Sequence, residues 1–113
     1  MGSKYILDGK TPVAENDAMK WAVWFENANR IVRKDTATVK LAGRAIGEVR
    51  VSTVFLGLDH SLGVGPPMLF ETMVFGGALD QEQDRCSTWE AAEEMHELMC
   101  ERVKHGTAAV GAA

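Results

Sequence analysis

An acid and an imidazole stand side by side at Asp59-His60, and a second acid, Glu71, follows within the next apolar run. A histidine titrates near neutral pH and can donate, accept or ligate a metal, and carboxylates can take protons or hold cations. Asp59-His60 closes the run Val49 to Leu58, which reads as a strand, and strand-end loops hold reactive groups rigidly while leaving them reachable. Glu71 is flanked by Phe70 and Thr72-Met73-Val74, where an unpaired carboxylate is costly to bury. With Arg50 and Thr53 on the preceding strand, a candidate ligand-binding set is Arg50, Thr53, Asp59, His60 and Glu71. Asp59, His60 and Glu71 could position a metal or a water for hydrolysis, whereas the bases near Arg50 would favour an anion.

Each residue also has a purely structural reading. Asp59 can cap its own turn, His60 can face solvent, and Glu71 can pair across strands with Arg50 or an edge lysine. A hairpin centred near Gly63 sets position 60 opposite about 66 and position 55 opposite about 71, which separates His60 from Glu71. His96 falls on an apolar helical stripe and reads as a hydrogen-bonded core histidine. There is no GxSxG, phosphate loop or HExxH, and Gly63-Val-Gly65 lacks the helix N-terminus that would complete a phosphate cradle. Cys86 and Cys100 are too few for a disulfide framework, and neither sits in a CxxC or in a Cys/His cluster of zinc spacing. Both read as reduced thiols, and neither a metal-ligand set nor a cofactor is expected.

The elements that must position these groups follow from pattern. Lys4-Tyr-Ile-Leu-Asp8 is a short strand closed by Asp8-Gly9. Asn16 or Asp17 can cap a helix over Ala18 to Ala28, anchored by Trp21, Trp24 and Phe25. Arg30 to Lys34 and Thr36 to Leu41 suggest two short strands of a basic edge hairpin, broken by Gly43 and Gly47. Its lysines would guard an edge against unwanted pairing, or else form a ribbon facing a ligand. Val49 to Leu58 is the clearest strand, Met68 to Phe75 the next, and a long Gly/Pro loop joins them. After a polar, acidic stretch from Ala78 to Arg85, Ser87 with Glu90 forms a capping box that starts a helix near Thr88. On it Trp89, Ala92, His96, Met99 and Val103 make a buried stripe, and Glu90, Glu94, Glu97 and Glu101 an acidic one. That acidic stripe reads as a solvated face, with mimicry of nucleic-acid phosphates as its functional alternative. The fold expected is α+β, an antiparallel sheet of three to five strands with two helices packed on one face.

At 113 residues and 25% charged side chains, the composition is that of a single globular domain, expected over residues 4–105. Met1-Gly2-Ser3 reads as an appended remnant and 106–113 as a loose tail. The formal net charge of −4 argues against a generic nucleic-acid binder. It is unevenly spread: residues 1–50 carry nine Lys and Arg against six acids, and residues 51–113 three against ten. An anionic ligand at the basic strands therefore stays possible. No apolar run reaches the roughly 20 residues of a membrane helix, and no signal peptide opens the chain, so a cytoplasmic protein is expected.

The run Val51-Ser-Thr-Val-Phe-Leu-Gly-Leu-Asp-His60, with Gly65-Pro-Pro67, Leu69-Phe-Glu-Thr-Met-Val-Phe-Gly76 and Ser87-Thr-Trp-Glu-Ala-Ala92, resembles a family of small phage- and prophage-encoded proteins with no assigned activity. The resemblance spans about residues 4–104 and is most specific over 51–92; segment 30–48 is longer than its pattern. It implies a non-enzymatic accessory protein in the host cytoplasm, counteracting a host-defence system by blocking a host protein or sequestering a small, nucleotide-like anion. A hydrolase or nuclease built on Asp59, His60 and Glu71 is the second expectation. A virion or assembly component, held as a homo-oligomer by a sheet edge, is the third.

Overall fold

The computed structural model describes the backbone of residues 3–112, with side chains through His105; the expected remnant falls at 1–2 outside the described residues, and over 106–112 of the expected tail the backbone continues as helix. In chain order the elements are β1 (Tyr5–Asp8), β2 (Thr11–Ala14), α1 (Ala18–Asn27), β3 (Ile31–Leu41), β4 (Arg44–Phe55), β5 (Phe70–Phe75), β6 (Gln83–Cys86) and α2 (Trp89–Ala112). Strands β3-β4-β5-β6 form one antiparallel sheet in sequence order, and β1-β2 form a separate hairpin. The class is α+β, as expected. No helix among the described residues is long and apolar enough to cross a membrane.

Alternation along the central strands decides which face is covered. Val49, Val51, Thr53 and Phe55 of β4 are buried, as are Phe70, Thr72 and Val74 of β5, while the residues between them are not. Helix α2 lies on that face. Its Met99 and Val103 join Val49, Val51 and Val74 in one cluster, and its Ala92 joins Phe55, Leu69 and Phe70 in another. Met95 is buried with the anticipated stripe, and Trp89 is half-buried.

Helix α1 reaches the same face through rings rather than through a buried stripe. Asp17 caps it, its Oδ1 accepting the Met19 and Lys20 amides at 3.0 and 3.1 Å. Trp24 meets Phe55 edge-on at 5.7 Å, and Trp21 Nε1 donates to the carbonyls of Tyr5 and Gly57. No residue of α1 is fully buried, so Met19 and Val23 stay exposed.

Several boundaries differ from expectation. The two short strands expected at 30–41 are one strand, β3, and its partner starts at Arg44 rather than Val49. Ala42 and Gly43, both at positive φ (53° and 78°), make the two-residue turn that joins them, a geometry matching the twist of paired strands. The strand ends at Phe55, not Leu58. Gln83 to Cys86 adds an edge strand within what reads as polar loop, because its ladder to β5 is made by backbone and not by side-chain pattern. The α2 cap is Thr88, whose hydroxyl accepts from the Ala91 amide at 3.1 Å, one residue beyond Ser87.

Gly76 carries the tightest turn constraint. Its φ is 94°, and a Cβ there would lie 2.6 Å from the Glu48 carbonyl oxygen. Gly43 has positive φ but open space around it. Gly43→Ala should therefore cost about 1 kcal/mol, the left-handed penalty alone, whereas Gly76→Ala should cost at least ~2 kcal/mol because strand β4 must also move. Urea unfolding of the two variants measures the difference.

Candidate functional site

The five residues singled out from sequence fall in three places. Glu71 pairs in register with Val54, and Phe55 with Phe70. That differs by one position from a hairpin centred on Gly63, and one position turns Glu71 from the α2 face to the opposite one. There Arg85 Nε donates to Glu71 Oε2 at 2.9 Å, so the cross-strand partner comes from β6 and not from Arg50. Arg50 lies on the same open face, exposed, with its guanidinium 4.8 Å above the Phe75 ring. Thr53 points the other way and is fully buried.

Asp59 staples the loop that joins β4 to β5. Its Oδ1 accepts from the amides of Ser61 and Met68 at 2.8 and 3.0 Å, and its Oδ2 from the Ser61 hydroxyl at 3.0 Å. The Ser61 amide is the chief reason this carboxyl is held below its ordinary range; the Ser61 hydroxyl, the Met68 amide and His60 add to the effect against a partial loss of hydration. His60 is exposed, and its amide donates to the Met68 carbonyl at 3.0 Å. Beyond the staple Leu62, at φ 59° and 95% exposed, and Val64, 79% exposed, project from the loop.

A different group of polar residues does converge. His96, buried on α2, donates from Nε2 to Asp35 Oδ2 at 2.6 Å. An ionised carboxylate only accepts, so Nε2 carries a proton, and in the neutral imidazole Nδ1 then accepts from the Thr53 hydroxyl at 2.7 Å. Thr72 in turn donates to Thr53. The chain runs from the edge strand β3 through α2 and β4 to β5. No buried side-chain polar atom among the described residues lacks a partner.

The outer end of this chain opens on a cleft of about 250 Å³ between α2 and the β3-β4 hairpin. Ala37, Val49, Val51 and Val103 line it with apolar surface; Arg33, Asp35, Glu97, Cys100 and Lys104 supply its polar groups. Arg33 binds Glu97 and lies 3.6 Å from Asp35. Cys100 is half-buried, and burial chiefly, with Asp35 and Glu97 beside it, pushes its thiol above the ordinary range against the opposing Arg33 and Lys104. A nucleophilic cysteine needs the reverse shift and a free imidazole nitrogen, and both nitrogens of His96 are engaged. His96 and Cys100, four apart on a helix, were a readable pair of possible ligands; Asp35 carried no local signal.

No protein family, curated protein or solved structure matches this chain.

Thr53→Val keeps the shape of the side chain but orphans Nδ1 of His96. It should cost ~1–3 kcal/mol in chemical denaturation, the usual penalty for a buried acceptor left alone. For Asp59 the sign follows from its depressed value. Its contribution to stability is present above the unfolded carboxylate value of about 3.9 and is lost as pH falls through the lower folded value. Amide exchange at Ser61 and Met68 should accelerate over that acid window, beyond the intrinsic pH trend, and should not do so in Asp59→Asn.

Proposed function

We propose that the protein acts by binding another protein, with the loop 59–67 as its docking element. The observation that carries this reading is Leu62, almost wholly exposed at positive φ on a loop held by three hydrogen bonds that the Asp59 carboxylate accepts. A leucine in the left-handed region is uncommon and costs about 1–2 kcal/mol, and sites that hold such strain against water are often functional. A clamped loop loses little entropy on docking, so apolar side chains on it convert efficiently into affinity. The partner surface that fits is a protein groove apolar enough to take Leu62 and Val64.

The alternatives draw less support. In the cleft Arg33 is bonded to its acids and Lys104 lies 3.6 Å from Glu101, and on the open sheet face Arg85 is bonded to Glu71 and Arg50 stacked on Phe75, which leaves less for a small anion. Hydrolysis by Asp59, His60 and Glu71 needs the three to share a surface. Asp59 spends its carboxylate on loop amides while Glu71 is bonded to Arg85 on the sheet. Blocking of a host protein, the accessory role implied by the phage resemblance, is the form of binding this reading favours.

Affinity capture from host lysate, quantified for the wild type beside Leu62→Asp, tests it. The wild type should retain a partner at near-stoichiometric amounts, and Leu62→Asp should lower that retention about tenfold or more while unfolding at the same temperature. Retention unchanged by Leu62→Asp, or no retained protein at all, overturns it.

A further inference from the structure

At the mouth of the cleft an imidazole, a thiol and a carboxylate face one another. His96 and Cys100 stand four residues apart on α2 and so share one face of the helix, and Asp35 comes from the neighbouring strand β3. One donor atom from each of the three lies within 4.8 Å of the others. We propose that Asp35, His96 and Cys100 form a binding site for a divalent transition-metal ion of the zinc type.

The donor chemistry selects the ion class. Nitrogen, sulfur and oxygen together suit borderline metals, whereas magnesium and calcium take oxygen alone. Three protein ligands are one short of a tetrahedral set. Asp35 and Cys100 line the cleft, from which a water or a small ligand would complete it.

The surroundings already contain what such a site requires behind its ligands. Metal-binding histidines usually hydrogen-bond through the second ring nitrogen, and Nδ1 of His96 lies 2.7 Å from the Thr53 hydroxyl. When Nε2 takes the ion, the imidazole proton moves to Nδ1, and Thr53 accepts from Nδ1 while its own proton turns to the Thr72 hydroxyl, so both bonds survive with their directions reversed. The Cys100 thiol releases its proton to solvent, one per ion bound. The 2.6 Å bond between Nε2 and Asp35 must open to roughly 3.3 Å for both atoms to bind one ion at about 2.0–2.1 Å. Asp35 has the freedom for that, with its side chain 53% exposed on an edge strand. The charged groups facing the site are Arg33 and Lys104 on one side of the balance and Glu97 on the other.

Titration of the reduced, full-length protein with Co²⁺ tests the assignment. The wild type should develop a thiolate-to-cobalt charge-transfer band that saturates at one ion per chain and is displaced by Zn²⁺. Cys100→Ser should abolish that band and Cys86→Ser should leave it intact, since Cys86 is the other thiol in the chain. Asp35→Asn should weaken binding by about tenfold or more, the range typical of losing a ligand or its support. A second readout does not depend on how well the variants fold: in the wild type, Zn²⁺ should slow alkylation of Cys100 but not of Cys86. Absence of the band in the wild type, its persistence in Cys100→Ser, or Zn²⁺ protection of Cys86 alone overturns the proposal.

Discussion

Helix α2 can lie on the sheet in only one position without stranding an imidazole. His96 sits between Ala92 and Met99 on the buried stripe, opposite Thr53, itself between Val51 and Phe55, and Thr72, between Phe70 and Val74. These polar groups form a belt between two apolar clusters. Sliding the helix by one turn would carry His96 about 5.4 Å along its axis, away from both the Thr53 hydroxyl and Asp35 and into valine and methionine side chains. A buried polar group without a partner costs far more than a satisfied one contributes, so the belt specifies the packing more than it strengthens it. It also binds four elements at once: β3 through Asp35, α2 through His96, β4 through Thr53 and β5 through Thr72.

The uneven charge of the chain is partly resolved by the same contact. The basic strand β3 lies beside the acidic helix α2, and Arg33 bridges to Glu97 there, while Arg102 of α2 reaches Glu82 before β6. Exposed pairs of this kind contribute ~0–1 kcal/mol each, so they guide placement and add little to stability. They do consume cations. Of the bases in residues 1–50, Arg33 is the one that these pairs engage.

Elements whose burial has a period were legible in the sequence. Helix α1 was readable from its Asp17 cap and its tryptophans, α2 from the stripe through Ala92, His96 and Met99, and β4 and β5 from alternating or continuous apolar residues. Strand β6 was not, because three of its four side chains are exposed and only backbone bonds define it. The site was less legible than the fold for a related reason. Whether Glu71 faces the helix or the open side depends on a single register step, which is set by the geometry of Gly57 to Met68 and not by the strand pattern. Asp35, Thr53 and His96 are spread across the sequence and meet only after the sheet has formed.

The connection between β4 and β5 spans residues 56–69, although antiparallel neighbours can be joined by two residues. The additional chain is not slack. Asp59 fastens it at Ser61 and Met68, and those charge-assisted bonds offset the unfavourable backbone of Leu62 without giving its side chain anything to pack on. A glycine or asparagine at position 62 would relieve the strain and leave no apolar side chain in water. The leucine does neither, so the loop keeps both an unfavourable backbone and an exposed apolar side chain at position 62.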